Sequence, residues 1–291
     1  MTIARYVSVH GGHSGGFCSH AEDTLEKVVE RYIELNFDWI CLTEHMPSAS
    51  KSFLPVEEAT AGFDVESSQD RFERYFQEAR RLADLHKDRI DIIVGFETDV
   101  YSGCKVEIAK HIAQFKPDMI VGSVHHVHDV LFDDTAKNYR RAVEVSGGIE
   151  ALYCDYFDAQ LELIETFRPA VVGHFDLIRI FDAGYPKRWE VSGIRDRALR
   201  NLERIKALGL ILDLNVRALA KGAAEPYLST PWLEFAIQEG IAIVPGDDSH
   251  GVASVGNRID EGISQLVAKG GSTNWKKPEI ASHAILAPRL S

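Results

Sequence analysis

Four segments of the chain, His10-Gly-Gly-His13, Thr43-Glu44-His45, Gly173-His174 and Asp247-Asp248-Ser249-His250, put histidines directly after short apolar runs. Runs of that length read as buried strands, and strands that end on one side of a sheet aim their imidazoles at a common point. Seven histidines, His10, His13, His20, His45, His125, His174 and His250, fall at or just beyond such ends, together with Glu97 and Asp248. A lone histidine there is more often a hydrogen-bonded structural residue, but nine nitrogen and carboxylate donors in one pattern read as a centre for Zn, Fe or Mn. Nine donors exceed the three protein ligands of a catalytic zinc, so the pattern implies two or three divalent ions. Glu97 can bridge two of them with its separate oxygens. Paired ions that hold the attacking and leaving oxygens of an in-line displacement are the apparatus of phosphoester hydrolysis.

The elements that must position these residues alternate. Apolar runs of strand length lie at 6–9, 38–42, 90–95, 118–121, 170–172, 210–214 and 241–244, and helical spacing fills 22–35, 70–86, 107–115, 152–166 and 194–208. Near-continuous apolar strands separated by helices predict an α/β fold with a parallel sheet whose strand C-termini share one face. A barrel is favoured over an open sheet because polar residues follow six of the seven runs, and the loops around a barrel rim converge on one site. A single domain over 1–291 fits this pattern. The stretch 46–68, with Pro47 and Pro55, reads as an irregular rim loop, and the segment after Gly271, with Pro278 and Pro288, shows little periodicity.

Composition narrows the partners. A 45% hydrophobic and 26% charged chain is an ordinary folded one, and a net charge of −12 leaves no broad basic surface for a nucleic-acid backbone, so a small substrate is expected. No run approaches a membrane span or a secretory core, and Cys18, Cys41, Cys104 and Cys154 are spread without a CxxC pair. Free thiols and a cytoplasmic location follow as expectations.

Phosphate needs cationic partners, and Arg179, Arg217, Lys221 and Arg258 are the candidates. The acidic residues Glu57, Glu58 and Asp64 could attract a substrate ammonium. His126 should point away from its neighbour His125 in an extended segment, His128 falls in a loop, and His86, His111 and His283 fit helix or tail surfaces. Asp176 reads as a helix N-cap, Asp99 and Asp247 as partners that orient imidazoles or as turn residues, and Cys18 as a small buried apolar group.

The segments HSG…SHA at 13–21, CLTEH at 41–45, GFE at 95–97, GSVHHV at 122–127, VGHFDL at 172–177 and DDSHGVASVG at 247–256 together resemble the polymerase-and-histidinol-phosphatase (PHP) family, most closely its histidinol-phosphatases. The resemblance spans nearly the whole chain and implies a distorted (β/α)7 TIM-like barrel. It implies a first ion on His10, His13, Asp248 and Glu97, a second on Glu97, His125 and His174, and a third on His20, His45 and His250. It further implies a phosphomonoesterase in which a hydroxide bridging two ions, held by Glu97 and Asp248, attacks phosphorus, with L-histidinol phosphate as substrate. Another small phosphorylated substrate, or an amidohydrolase-type barrel, is the alternative. One departure stands out: the family pattern H-x-H is His10-x-x-His13 here, so either a bulge brings both imidazoles to one ion or His10 is not a ligand. Arg179 resembles the family's phosphate-binding basic residue in placement, and Ala220 stands where a basic residue is usual, leaving Arg217 or Lys221 to substitute.

Overall fold

The computed structural model describes residues 6–280, with the side chain of Glu57 left aside. Seven parallel strands form one sheet: β1 (Tyr6–Ser8), β2 (Phe37–His45), β3 (Asp91–Glu97), β4 (Met119–Gly122), β7 (Val171–Val172), β8 (Ile211–Asn215) and β9 (Ala242–Gly246), in that spatial order. A two-stranded antiparallel hairpin, β5 (His126–Val127) and β6 (Val130–Leu131), stands above the rim. The first and last strands approach each other, with Val9 N–H donating to the Pro245 carbonyl at 3.0 Å, so the sheet is nearly closed into a barrel. All seven predicted strands are present.

Alternation explains the interior. Val7 and Val9, Trp39 and Cys41, Ile93, Met119 and Val121, Val171, Ile211 and Val244 form one buried apolar cluster inside the barrel, while the intervening residues join a larger core under the helices. Parallel strands buried on both faces must be apolar throughout, which is why they read as continuous runs. The helices Leu25–Glu34, Val65–His86, Cys104–Phe115, Ile149–Phe167 and Ser192–Leu208 occupy the predicted spans with small shifts at their ends. The second starts earlier than its apolar period because Asp64 and Ser67 form a capping box.

The longer helices without a prediction are Ala136–Ser146, Thr230–Gln238 and Ile259–Ala268. The first buries only Tyr139 and Ala142, too few positions to show a period. The stretch read as irregular, 46–68, carries a 3-10 turn at Lys51–Phe53, a helix at Val56–Thr60 and the start of the capped helix. The described part of the segment after Gly271, residues 272–280, packs on the barrel: Trp275 packs against both apolar clusters, Lys276 Nζ donates to the Gly209 carbonyl at 2.7 Å, and Lys277 pairs with Asp91. Gly209 and Asp91 stand at strand starts, so this strap crosses the mouth opposite the histidines. Pro288 and His283 lie outside the described residues.

His111 corrects an expectation. Its ring is fully buried against Phe72, Phe96 and Phe115, with no hydrogen-bond partner on either nitrogen. His86 is also largely covered. Burial, and then Lys110, push the His111 pKa down to about 4. A ring that protonates only in the unfolded chain withdraws stability as pH falls from about 6.5 toward 4. Urea unfolding of His111→Leu should therefore lose about 2 kcal/mol less than the parent between pH 7 and pH 5; equal losses would show the ring to be solvated.

Candidate metal centre and active site

The interior stripes that are apolar lower down become polar at the rim, and the same alternation delivers the donors. Trp39 and Cys41 lead to Thr43 and His45, Ile93 leads through Gly95 to Glu97, Met119 and Val121 lead through Ser123 to His125, and Val244 leads through Gly246 to Asp248. In the β2–β3 register His45 stands directly opposite Glu97. Gly246 is required beneath this layer, because a Cβ there would meet the Asp213 carboxylate at 2.2 Å and the His10 Cβ at 3.0 Å.

Glu97 is the hub. Its Oε1 lies 2.9 Å from His174 Nε2, 3.2 Å from His10 Nε2 and 3.3 Å from His125 Nε2. Its Oε2 faces His45 Nδ1 at 2.9 Å and His13 Nε2 at 4.0 Å. Burial alone would raise the Glu97 pKa, but His10, His125 and His45 outweigh it and hold the carboxyl well below its ordinary value. Asp248 reaches His13 Nε2 at 3.5 Å and His250 Nδ1 at 3.5 Å.

Four clusters place one donor atom per residue within 4.8 Å of one another: His10, His13 and Glu97; Glu97, His125 and His174; His13, His45 and His250; and Cys18, His20 and His45. The first two match the inner groups expected from the sequence, with Asp248 beside the first. The outer group differs, since His45 is shared between a set with His13 and His250 and a set with Cys18 and His20. Cys18, read as a mere packing group, has its Sγ 3.1 Å from His20 Nδ1.

The extra residue between His10 and His13 is absorbed by glycine. Gly12 has φ +79°, and a Cβ there would meet Leu42 Cδ2 at 2.5 Å. The Gly11 amide donates to Thr43 Oγ1 and the Gly12 amide to Ser249 Oγ, both at 3.0 Å. The turned backbone brings both imidazoles to Glu97. Two donors sit on left-handed backbone, Asp248 at φ +46° and His174 at φ +21°, a strain that persists where the surroundings over-determine it.

Carboxylates behind the imidazoles fix their orientation. Asp213 Oδ2 is 2.9 Å from His10 Nδ1 and accepts from Asn215 Nδ2 at 2.9 Å. Glu44 Oε1 is 3.2 Å from His13 Nδ1. Asp99 accepts from the His125 amide at 3.0 Å and pairs with His126 Nδ1 at 2.6 Å. Burial would raise the Asp99 pKa, but His126 and then His125 pull it far below its ordinary value. The orienting role expected of Asp99 is what the geometry displays, and His126 turns toward it. Asp213 and Glu44 had no role in the sequence reading; an acidic residue inside an otherwise apolar strand was the available signal. Asp247 accepts from Tyr32 and Ser8 hydroxyls and from the Gly256 amide. Asp176 caps no helix of its own and accepts instead from the Leu228 and Ser229 amides.

The donors floor a cavity of about 340 Å³, within the range for small-molecule sites. Arg217, Lys221, Asp133, Asp134 and Glu58 are among its lining residues, and Phe53 stacks on Tyr101 at 4.5 Å beside His126. Arg217 Nη1 donates to the Asp248 carbonyl at 2.9 Å. Two of the four candidate cations are elsewhere. Arg179 is buried with Nη2 donating to the Glu225 and Pro226 carbonyls at 3.0 and 2.6 Å, its guanidinium over the Tyr185 and Tyr227 rings; the 3-10 turn Leu177–Arg179 aims it under the 225–227 loop. Arg258 is exposed and pairs with Glu261. Of the acidic candidates, Asp64 is used as a helix cap, Glu58 reaches the cavity beside Arg71, and the Glu57 side chain lies outside the described residues. His128 pairs with Asp155 away from the donors.

The donor set fits divalent ions. Nε2 of His13 and of His45 is buried without a hydrogen-bond partner, and imidazoles sharing a carboxylate suit Zn and the neighbouring transition metals.

A family model described as PHP domain matches residues 11–217. The chain belongs to the PHP domain family. Its PHP relatives include a Schizosaccharomyces pombe protein named probable histidinol-phosphatase, 34% identical over 86% of this chain and 82% of its own. The histidinol-phosphatase of Saccharomyces cerevisiae is 30% identical over 87% of this chain and 85% of its own. A solved histidinol phosphate phosphatase of Lactococcus lactis, complexed with zinc, L-histidinol and phosphate, has the same fold, with TM-score 0.68 over 96% of this chain and 97% of its own at 22% identity. The PHP barrel of this chain is thus the parallel, near-closed seven-stranded form.

Two substitutions test this geometry by bound metal, measured by elemental analysis after gel filtration. Asp213→Asn should weaken metal binding by about 10–100-fold through the His10 ring alone, and unchanged affinity would remove Asp213 from the centre. Gly12→Ala should cost about 1–3 kcal/mol of stability and lower metal content, because the left-handed turn is lost; full retention of both would mean that the bulge is not needed.

Proposed function

We infer that this chain is a metal-dependent histidinol-phosphatase, hydrolysing L-histidinol phosphate to L-histidinol and phosphate. The observation that carries the reading is the convergence of donors on the two oxygens of Glu97 beneath a cavity that also presents Arg217 and Lys221. The substrate is supported by the names of the two relatives that are 34% and 30% identical over most of the chain.

His10, His13, Glu97 and Asp248 would hold one ion, Glu97, His125 and His174 a second, and His20, His45 and His250 with their neighbours a third, with zinc, manganese or iron as the candidates. Such ions supply charge for the phosphoryl oxygens and Lewis acidity toward the attacking water. The chain's own groups do the rest. Arg217 and Lys221 bind the outward phosphoryl oxygens, where charge-assisted hydrogen bonds are strongest. Arg217 is held in place by its bond to the Asp248 carbonyl, which ties the phosphate-binding cation to the donor layer. The acidic side chains Asp133 and Glu58 offer carboxylates to the substrate ammonium, and the Phe53 and Tyr101 pair offers an aromatic wall. Phe17, Met46, Leu177 and Tyr227 line the remaining wall and exclude water.

A single PHP-type domain over 1–291 is part of this proposal. So is a cytoplasmic location, supported by four cysteines present as free thiols. No helix of the described residues is long and apolar enough to cross a membrane.

A panel of phosphomonoesters that includes L-histidinol phosphate, assayed with Zn, Mn or Fe, tests the reading: L-histidinol phosphate should have the highest kcat/KM, and a chelator should abolish turnover reversibly. No hydrolysis of any phosphomonoester in metal-replete buffer would end it. Lys221→Ala should raise KM by about tenfold, the worth of one charged hydrogen bond, with metal content unchanged; a fall in kcat at constant KM would reassign Lys221.

A further inference from the structure

Cys18 sits in the turn that follows the glycine bulge. The Phe17 and Cys18 amides both donate to the Ser14 carbonyl, at 3.0 and 2.9 Å, and the Ala21 amide donates back to the Cys18 carbonyl at 3.4 Å. Those turns put Cys18 and His20, two residues apart, on the same side of the loop. The Cys18 Sγ is 3.1 Å from His20 Nδ1 and 3.3 Å from His20 Nε2. The residue is 2% exposed, yet it lines the cavity and belongs to neither apolar cluster. Sulfur, a His20 nitrogen and a His45 nitrogen all fall within 4.8 Å of one another. The fourth wall of this pocket is supplied by His250, whose ring is 4.9 Å from that of His20. A buried thiol that only packed would sit among aliphatic side chains; this one has the His20 ring at contact distance and a His45 nitrogen within 4.8 Å. The other three cysteines have no place in any donor cluster among the described residues.

We propose that Cys18 is a thiolate ligand, and that with His20 and His45 it makes the outermost metal position a sulfur-containing site unlike the nitrogen and oxygen sites around Glu97. The proposal rests on the divalent-metal part of the reading above. Binding forms a metal–sulfur bond and displaces the thiol proton to solvent, so no oxidant or reductant is involved. Thiolate selects for zinc and against hard, oxygen-seeking ions such as manganese. The outer position should therefore differ in metal preference from the inner pair, and mixed occupancy follows from the chemistry of its donors. His45 is the joint between the two regimes, since it touches Glu97 through Nδ1 at 2.9 Å while its Nε2 is buried without a hydrogen-bond partner.

The test uses the full chain loaded with zinc or cobalt. X-ray absorption at the zinc edge of the fully loaded parent should show a sulfur scatterer at about 2.3 Å beside nitrogen and oxygen at about 2.0–2.2 Å. The cobalt form should show a near-ultraviolet thiolate-to-cobalt charge-transfer band. Cys18→Ser should lose both signals and release its weakest-held ion about 10–100-fold more readily, whereas Cys154→Ser should keep both. A fully loaded parent with no sulfur scatterer, or a band lost equally in Cys154→Ser, overturns the proposal and leaves the phosphatase reading intact. A chain that binds no divalent ion overturns both. The absorption measurement on the parent decides the question even where Cys18→Ser fails to fold.

Discussion

A single buried carboxylate organises this protein. Glu97 stands at the end of a central strand with four imidazoles close to its two oxygens, three on one side and one on the other. A carboxylate taken out of water is costly unless it is paired and hydrogen-bonded, and the imidazoles are the pairing. They in turn are packed so closely, with His125 and His174 nitrogens 3.2 Å apart, that without a negative centre or shared ions they would repel or compete for protons. The remaining architecture maintains this arrangement. Glycine beneath the donor layer makes room for Asp213, and Asp213, Glu44 and Asp99 each hold an imidazole from behind.

What could be read from the chain follows from periodicity. Parallel barrel strands are apolar on both faces, so all seven were visible as runs, and the period of two carries each interior stripe up to His45, Glu97, His125 and Asp248 without further information. The alternation fails at His10 and His174. His10 follows Val9 directly and still points inward, and His174 follows Gly173 on left-handed backbone; no period encodes such turns. Arg179 was misplaced for a related reason. Its nearness to His174 in sequence is real, but a short 3-10 turn rotates its side chain onto backbone carbonyls of another loop. Asp213 and Glu44 were overlooked because a single acid within a strand resembles any polar interruption, and only the fold brings each behind an imidazole. Cys18 shows no CxxC pairing in the sequence, and the fold sets it beside His20 of its own loop and His45 at the end of β2.

A net charge of −12 does not by itself set the potential inside the cavity. Exposed charges are screened over about 10 Å at ordinary ionic strength, so the acidic exterior is weakly felt at the cavity floor. Within the cavity the local sign is set by its own lining, where Arg217 and Lys221 stand together with Asp133, Asp134 and Glu58. A cavity that offers cations, carboxylates and imidazoles together suits a small ligand carrying both signs of charge.

The junction of β1 with β9 has a bearing on how the molecule comes into being. The chain's first and last barrel strands meet there, and their joining bonds run through site residues: the Asp248 amide donates to the His10 carbonyl at 2.8 Å and the His13 amide to the Ser249 carbonyl at 2.9 Å. His10 and His13 are more than 230 residues from Asp248 and His250 in the chain, so the donors on the two sides of this seam meet only when distant segments come together. Contacts so distant in sequence form late and slowly. Ion capture is thus coupled to closure of the ring, and whatever binds there stabilises the closed molecule by mass action. The seam therefore makes the integrity of the ring and the assembly of the donor layer one property, so that what loosens either loosens the other.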